Sequence, residues 1–329
     1  MTYRSIISAS VALLAIAAAT SGLAQPATPP KPDAPAHVTA QGAAIYRLQI
    51  GAVRVTALSD GSVPQDLHAL LRDVTPAQID ALLDRNFQAN PVEASINVFL
   101  LEMPGRLVLV DTGSGELFGP GAGGGLIASL KQAGFVPDQV TDVLITHAHS
   151  DHSGGLVSDG NRVFDNATIH VGKPDLDFFL DRSNIQRTGY DAQYFDVAEK
   201  TLRPYLDAGK VEPLPPTGEV LPGVTATLHP GHTPGSAFYT LRSEGEEIVF
   251  VGDIIHSAAV QFPAPATTIT YDQNPDEAAR VRSGAFAGFA HDRTLIAAPH
   301  LPFPGIGHVR ADDGAFTWIP VTFTNRAHH

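Results

Sequence analysis

Short apolar runs rich in β-branched residues recur along the chain, and stretches of helical period lie between them. Strands are predicted at Val53 to Leu58, Ile96 to Leu101, Leu107 to Val110, Val143 to Ile145, Ala167 to Val171, Val224 to Leu228, Phe238 to Leu241, Ile248 to Val251 and Leu295 to Ala298. The alternation in Val53-Arg54-Val55-Thr56-Ala57 fits a strand with one covered face, whereas wholly apolar runs such as Val143-Leu144-Ile145 fit central strands. Thr75-Pro76-Ala77-Gln78 joins an N-cap threonine to proline at the first helical position and glutamine three residues after the cap. A helix should open there with Ile79, Leu82, Leu83 and Phe87 on its buried face. Leu126 to Ala133, stopped by Gly134, Pro174 to Leu180, Ala192 to Leu206 and Pro275 to Phe289 predict further helices. Strand runs interleaved with helices at both ends favour an α+β sandwich of αββα type, with two mixed β-sheets face to face and helices on the outer faces.

The beginning of the chain follows neither pattern. Arg4, the apolar stretch from Ile6 to Ala19 and the small residues Gly22 and Ala24 read as a signal peptide over residues 1–24, cleaved after Ala24. Residues 25–43, with Pro26, Pro29, Pro30, Pro32 and Pro35, predict a flexible Pro/Ala-rich leader. Residues 44–329 then form one domain without an internal linker. The expectation is a periplasmic or secreted protein with no stable membrane anchor after processing.

The chain contains no cysteine, so no disulfide supports it, no lipid anchor can be attached through a thiol, and no thiolate binds metal. Stability must come from a core, which 329 residues of 43% hydrophobic composition can supply. A net charge of −13 argues against nucleic acid, anionic membrane surfaces and long polyanionic substrates. A small neutral hydrophobic substrate suits it better; a homodimer stays open.

The chemistry concentrates at His147-Ala148-His149-Ser150-Asp151-His152, where three imidazoles and a carboxylate follow an apolar strand. A strand ending near Thr146 delivers such side chains into a turn, where alternate residues converge on one point and the rest on a second beside it. Further candidates stand where other strands should end: His232 in Gly231-His232-Thr233-Pro234-Gly235, Asp253 after Val251-Gly252, and His300 after Ala298-Pro299. Five imidazoles and two carboxylates suit two borderline divalent ions sharing a bridging group. Zinc fits this donor set best, and manganese, cobalt or iron are also compatible. His68 and His170 read as packed or surface histidines.

These motifs, in this order, resemble the metallo-β-lactamase superfamily over roughly Tyr46 to Phe323. The resemblance implies one metal held by His147, His149 and His232, a second by Asp151, His152 and His300, and Asp253 bridging both. It also implies a metal-bridging hydroxide as nucleophile, with Asp151 and Asp253 the carboxylates at the reacting centre, Asp151 orienting the hydroxide. Asp111 of Val110-Asp111-Thr112-Gly113 would brace the site without being a ligand. Leu117-Phe118-Gly119-Pro120, Ala259-Val260-Gln261-Phe262 and the tail from His300 to Arg310 are closer to methyl parathion hydrolase and its lactone- and aryl-ester-cleaving relatives. By position, Phe118, Phe179 and Phe195 would form an aromatic mouth over the metals, with His256 and His308 as supporting histidines. Ser150 stands where methyl parathion hydrolases tend to have proline, Ser236 where many members carry histidine, and Phe179 where the organophosphate enzymes tend to show tryptophan. These departures weigh against efficient organophosphate cleavage more than against hydrolysis. A β-lactamase, a thioester hydrolase of the glyoxalase II kind, and a metal-binding protein that merely keeps the fold are the competing readings.

Overall fold

The computed structural model describes residues 41–325 apart from residue 43; the expected signal peptide and all but the end of the expected leader lie outside the described residues. Seven strands form the first sheet in chain order: β1 (Ile45–Ile50), β2 (Val53–Gln65), β3 (Val92–Met103), β4 (Arg106–Val110), β5 (Asp142–Leu144), β6 (Thr168–Gly172) and β7 (Val211–Leu214). The first four pair antiparallel, and β4 through β7 run parallel. Seven more form the second sheet, again in chain order: β8 (Thr217–Leu221), β9 (Val224–Leu228), β10 (Ala237–Ser243), β11 (Glu246–Phe250), β12 (Leu295–Ala297), β13 (Ile306–Asp312) and β14 (Ala315–Pro320). Only β11 and β12 are parallel there.

Alternation along each strand explains the layering. Phe99, Leu101, Val108, Val110 and Leu144 point from the first sheet into a cluster shared with Ala226, Tyr239, Leu241, Phe250 and Ala297 of the second. Their neighbours Val98, Leu100, Leu107, Leu109 and Val143 point the other way, where they meet helices α2 (Leu126–Ala133), α3 (Lys173–Phe179) and α4 (Ala192–Asp207). On the second sheet, Val249, Val251 and Ile296 pack against Phe286 and Phe289 of α5 (Pro275–Asp292). Central strands are therefore apolar throughout because both of their faces are covered.

Helix α1 (Pro76–Asp84) has the predicted capping box at Thr75 and Gln78, and Ile79 and Leu83 are buried. Phe87 departs from expectation: the helix has ended before it, its φ is 55°, and the ring is 99% exposed. His68 lies near the surface against Asp80, and His170 is buried with Nε2 3.1 Å from Asp142, so neither joins the site.

Two carboxylates and one amide place the loops at the strand ends. Asp60 accepts from Ser114 N, Ser114 Oγ, Gly124 N and Leu126 N, fixing the glycine-rich loop that carries Phe118. Asp175 accepts from Ala148 N, Gly235 N and Thr233 Oγ1, tying the histidine cluster to the loop of His232. Burial nevertheless pushes the Asp175 carboxyl up to about 6 against those donors. Asn97 donates from its backbone to Pro299 O and from Nδ2 to Ala298 O and Leu301 O, so a side chain of the first sheet holds the loop of His300 in the second.

Candidate metal centre

His147 to His152 leave β5 in a turn whose second half, Ser150–Ser153, is a single helical turn. That geometry separates the side chains. His147 and His149 face His232, while Asp151 and His152 face His300, and Asp253 stands beside both groups. Gly231 precedes His232 because its backbone has φ +141° and a Cβ there would lie 2.6 Å from Ala278 N at the start of α5.

Potential ligand atoms crowd around Asp253. His147 Nε2, His232 Nε2 and His300 Nε2 lie 3.6, 3.4 and 3.1 Å from its Oδ2, and His152 Nε2 lies 3.2 Å from Oδ1. His149 Nδ1 is 3.1 Å from His232 Nε2, and Asp151 Oδ2 is 3.4 Å from His300 Nε2. Atoms about 2.0–2.2 Å from a shared tetrahedral ion stand roughly 3.3–3.6 Å apart, so the spacing fits metal ligation. The polar atoms left over point the same way. His147 Nε2, His152 Nε2 and Asp253 Oδ1 are buried with no hydrogen-bond partner, a costly arrangement unless something other than a protein group completes them.

The opposite ring nitrogens are already engaged, which sets the tautomers. Nδ1 of His152 donates to Asp111 Oδ2 at 2.8 Å, His232 Nδ1 to Asp272 Oδ1 at 2.8 Å, and His300 Nδ1 to Ser95 O at 2.9 Å. His149 is turned around: Nε2 donates to Tyr190 Oη at 3.0 Å, leaving Nδ1 for the centre, and the Tyr190 hydroxyl donates onward to Tyr271 O. Burial holds the Tyr190 phenol above its usual range, so it stays a neutral donor. Asp111 occupies φ +62°, an expensive conformation for a residue with a side chain, and its carboxylate also accepts from Thr146 N and Oγ1. Behind Asp272 lies Arg282, fully buried, 3.7 Å from that carboxylate and donating to the carbonyls of Ile254, Pro265 and Thr267.

Charge is distributed unevenly over the cluster. Burial and the neighbouring imidazoles hold His147 and His149 well below the usual histidine range. Burial opposes protonation of His152 and His300 too, but the carboxylates of Asp253 and Asp151, with Asp111 at His152, outweigh it. His152 lies well above the usual range and His300 at about 9. The same histidines keep Asp253 well below the carboxylate range although burial acts the other way. Because the His300 pKa is raised, its pairing with Asp253 stabilises the metal-free fold below the ordinary histidine pKa and is lost as pH rises through about 9. A divalent ion must displace that proton. Zinc binding at pH 7 is thus expected to release at least one proton, with affinity rising about tenfold per pH unit toward pH 9. Calorimetry in buffers of different ionisation enthalpy reads the proton count; a count of zero would contradict the pairing.

Asp151, Asp253, His149, His256 and His300 form the floor of a cavity of about 520 Å³. Its walls are Val63, Pro64, Gln65, Leu117, Phe118, Ala122, Gln193, Tyr194, Val197 and Tyr271, with neither lysine nor arginine. Phe118 is there, half-exposed, as expected. Phe179 and Phe195 are not: both are fully buried in the core between the first sheet and helices α3 and α4. Along α4 one residue turns a side chain by about 100°, so Phe195 facing the sheet leaves Tyr194 facing the cavity. Phe179 lies behind the site, its ring edge-on to His149 at 5.8 Å. His308 is exposed on β13, with Nδ1 3.1 Å from Thr294 O and no contact with the centre. His256, by contrast, places Nε2 3.1 Å from Asp253 Oδ2 and stacks on His300.

The sequence pattern of the metallo-beta-lactamase superfamily matches residues 92–292, which hold six of the seven candidate ligands. The chain belongs to the metallo-β-lactamase superfamily. Among superfamily structures it is 37% identical to a hydrolase called AbOPH, with a TM-score of 0.82 over 87% of this chain and 100% of that one. It is 28% identical to AidC, a dizinc quorum-quenching lactonase, with a TM-score of 0.78 over 86% of this chain and 99% of that one. An N-acyl homoserine lactonase of Bacillus thuringiensis is 29% identical over 121 residues, 36% of this chain and 40% of that protein. The match thus spans about two-fifths of the length of that curated relative. The superfamily fold, the dizinc neighbour and the convergent ligand groups together support a binuclear metal site.

Proposed function

We propose that this protein is a binuclear metallohydrolase that opens lactones and cleaves aryl esters, with phosphotriesters as accompanying substrates. The observation that carries the reading is the cavity: ligand groups at its floor, apolar and aromatic walls, and no cationic side chain to receive a carboxylate. β-Lactams and glutathione thioesters bear such a carboxylate, so a small neutral hydrophobic substrate fits better. The lactonase relatives support the same reaction class. Phosphotriesters suit a cavity without cationic side chains, where Phe118, Tyr194 and Tyr271 supply the rings in place of the three-phenylalanine mouth expected.

His147, His149 and His232 would hold one ion, Asp151, His152 and His300 the other, and Asp253 both; zinc is the metal this donor set suits best. Such ions lower the pKa of water and polarise a carbonyl or phosphoryl oxygen. The chain supplies the rest. Asp151 is the most exposed of the seven and presents its carboxylate to the cavity, where it orients the attacking water and accepts its proton. The Tyr194 phenol, which burial holds above its usual range, is a neutral donor in the wall. A phenolate leaves with little acid assistance, whereas the alkoxide of an opened lactone takes up the proton that Asp151 accepted from the water. Hydrolysis of a chromogenic lactone, aryl ester and phosphotriester by zinc-loaded protein, abolished by EDTA and restored by zinc, is the expected result. Binding of two ions without turnover of any of the three would favour a metal-binding protein.

Export belongs to the same proposal, on the strength of the Gly22-Leu23-Ala24 site after a short apolar stretch. The mature protein should begin at Gln25 and be recovered from the periplasm. Intact mass of the soluble protein decides this, and a retained Met1 would count against it.

A further inference from the structure

The centre holds a sixth imidazole, that of His256, whose bonding runs opposite to that of the candidate ligands. In His147, His152, His232 and His300 the nitrogen turned away from the metals, Nδ1, has a partner in Thr146 Oγ1, Asp111, Asp272 and Ser95 O respectively. The proton sits there, and Nε2 is left bare for an ion. His256 is 3% exposed, with Nε2 3.1 Å from Asp253 Oδ2 and Nδ1 buried without a hydrogen-bond partner among the described residues. A proton on Nδ1 would be an unmade donor, and it would leave the lone pairs of Nε2 and Oδ2 facing each other. The proton therefore belongs on Nε2, which donates to the carboxylate.

Buried groups hold the ring in that place. Gln261, fully buried, accepts from His256 N at 2.7 Å and from Ser257 N at 3.2 Å through Oε1, and its Nε2 donates to Thr267 O. Arg282 donates to the same Thr267 carbonyl and to Ile254 O, beside Asp253. The His256 ring then lies flat on His300, with 17° between the planes. His232, Asp253 and His256 also bring potential ligand atoms within 4.8 Å of one another. Two of those three already belong to the sets described above, so an ion there would gain one new donor, and that nitrogen carries a proton.

We infer that His256 is a positioning residue and not an eighth ligand: its Nε2–H holds Asp253 Oδ2 so that the carboxylate faces both ligand sets before an ion arrives. The bond persists on loading, because an ionised carboxylate offers roughly four acceptor sites and two ions use two of them. Fixing a ligand in advance strengthens metal binding, since less order is lost when the ion enters. The inference rests on the ligand assignment made above, but it concerns metal affinity and is read without turnover.

The test pairs two substitutions that separate the donor from the ring. His256→Gln keeps a side-chain N–H at similar reach and loses the stack on His300, while His256→Phe keeps a ring and loses the donor. Zinc affinity, read by competition with a chromogenic chelator at fixed pH, should fall about 10- to 100-fold in His256→Phe and stay within about threefold of wild type in His256→Gln. All three proteins should bind two ions at saturation. The visible spectrum of cobalt-loaded protein should change in the phenylalanine variant alone, and imidazole nitrogen NMR of the zinc-loaded wild type should show His256 protonated at Nε2 and bare at Nδ1. Unchanged affinity in His256→Phe overturns the inference, and so does an equal loss in both variants, which would assign the effect to the ring. One ion per chain at saturation in both variants would make His256 a ligand instead. A wild type that takes up fewer than two zinc ions would overturn the ligand assignment itself, and the inference with it. If His256→Phe does not fold, the wild-type tautomer decides: a bare Nε2 in the zinc-loaded protein overturns the inference.

Discussion

Asp253→Ala should lower kcat/KM for the best lactone or ester by at least about a thousandfold, because losing the shared carboxylate forfeits the several kcal/mol of charge stabilisation that paired ions supply. Its two oxygens face four of the candidate histidine ligands, at 3.1 to 3.6 Å. Without them, both groups of candidate ligands lose the carboxylate that faces them in common, and the chain should retain about half its metal. Elemental analysis alongside kinetics separates the two effects. Full metal content with normal turnover would remove Asp253 from the reaction altogether.

Phe179→Ala should behave as a core mutation. The ring is fully buried and packs against Phe178, Phe195 and Tyr190 as well as the edge of His149. Truncation should cost about 3–5 kcal/mol of folding stability. Any loss of turnover should be similar for bulky aryl and small substrates, since the cavity wall is made by other residues. Denaturant titration gives the stability, and the substrate series gives the pattern. A selective loss on aryl substrates with stability unchanged would restore Phe179 to the cavity.

The contrast between these residues shows what the sequence made legible. His147, His149, Asp151 and His152 could be read directly as candidates because four potential ligands fall within six residues, and His232, Asp253 and His300 because each follows an apolar strand. Phe179 and Phe195 were misplaced because alignment by position gives the element but not the face, and on α4 the face belongs to Tyr194. His308 failed for a related reason: its neighbours in sequence belong to β13, which leads away from the centre. The strands β1, β7, β8, β13 and β14 escaped notice because they lie at or near sheet edges, where polar residues and Pro213 interrupt the pattern. The groups that orient the ligands were hidden more deeply. Asp272, Asp175, Asn97 and Tyr190 act on residues 40, 58 to 60, about 200 and 41 positions away, and no local motif marks them.

Each candidate metal set draws on both sheets, with His147 and His149 joined by His232, and Asp151 and His152 joined by His300. A ribosome delivers these halves at different times. When the first sheet has been synthesised, neither set is complete, and the last ligand, His300, emerges only near the end of the chain. Full loading therefore follows the docking of the second sheet and does not template the first.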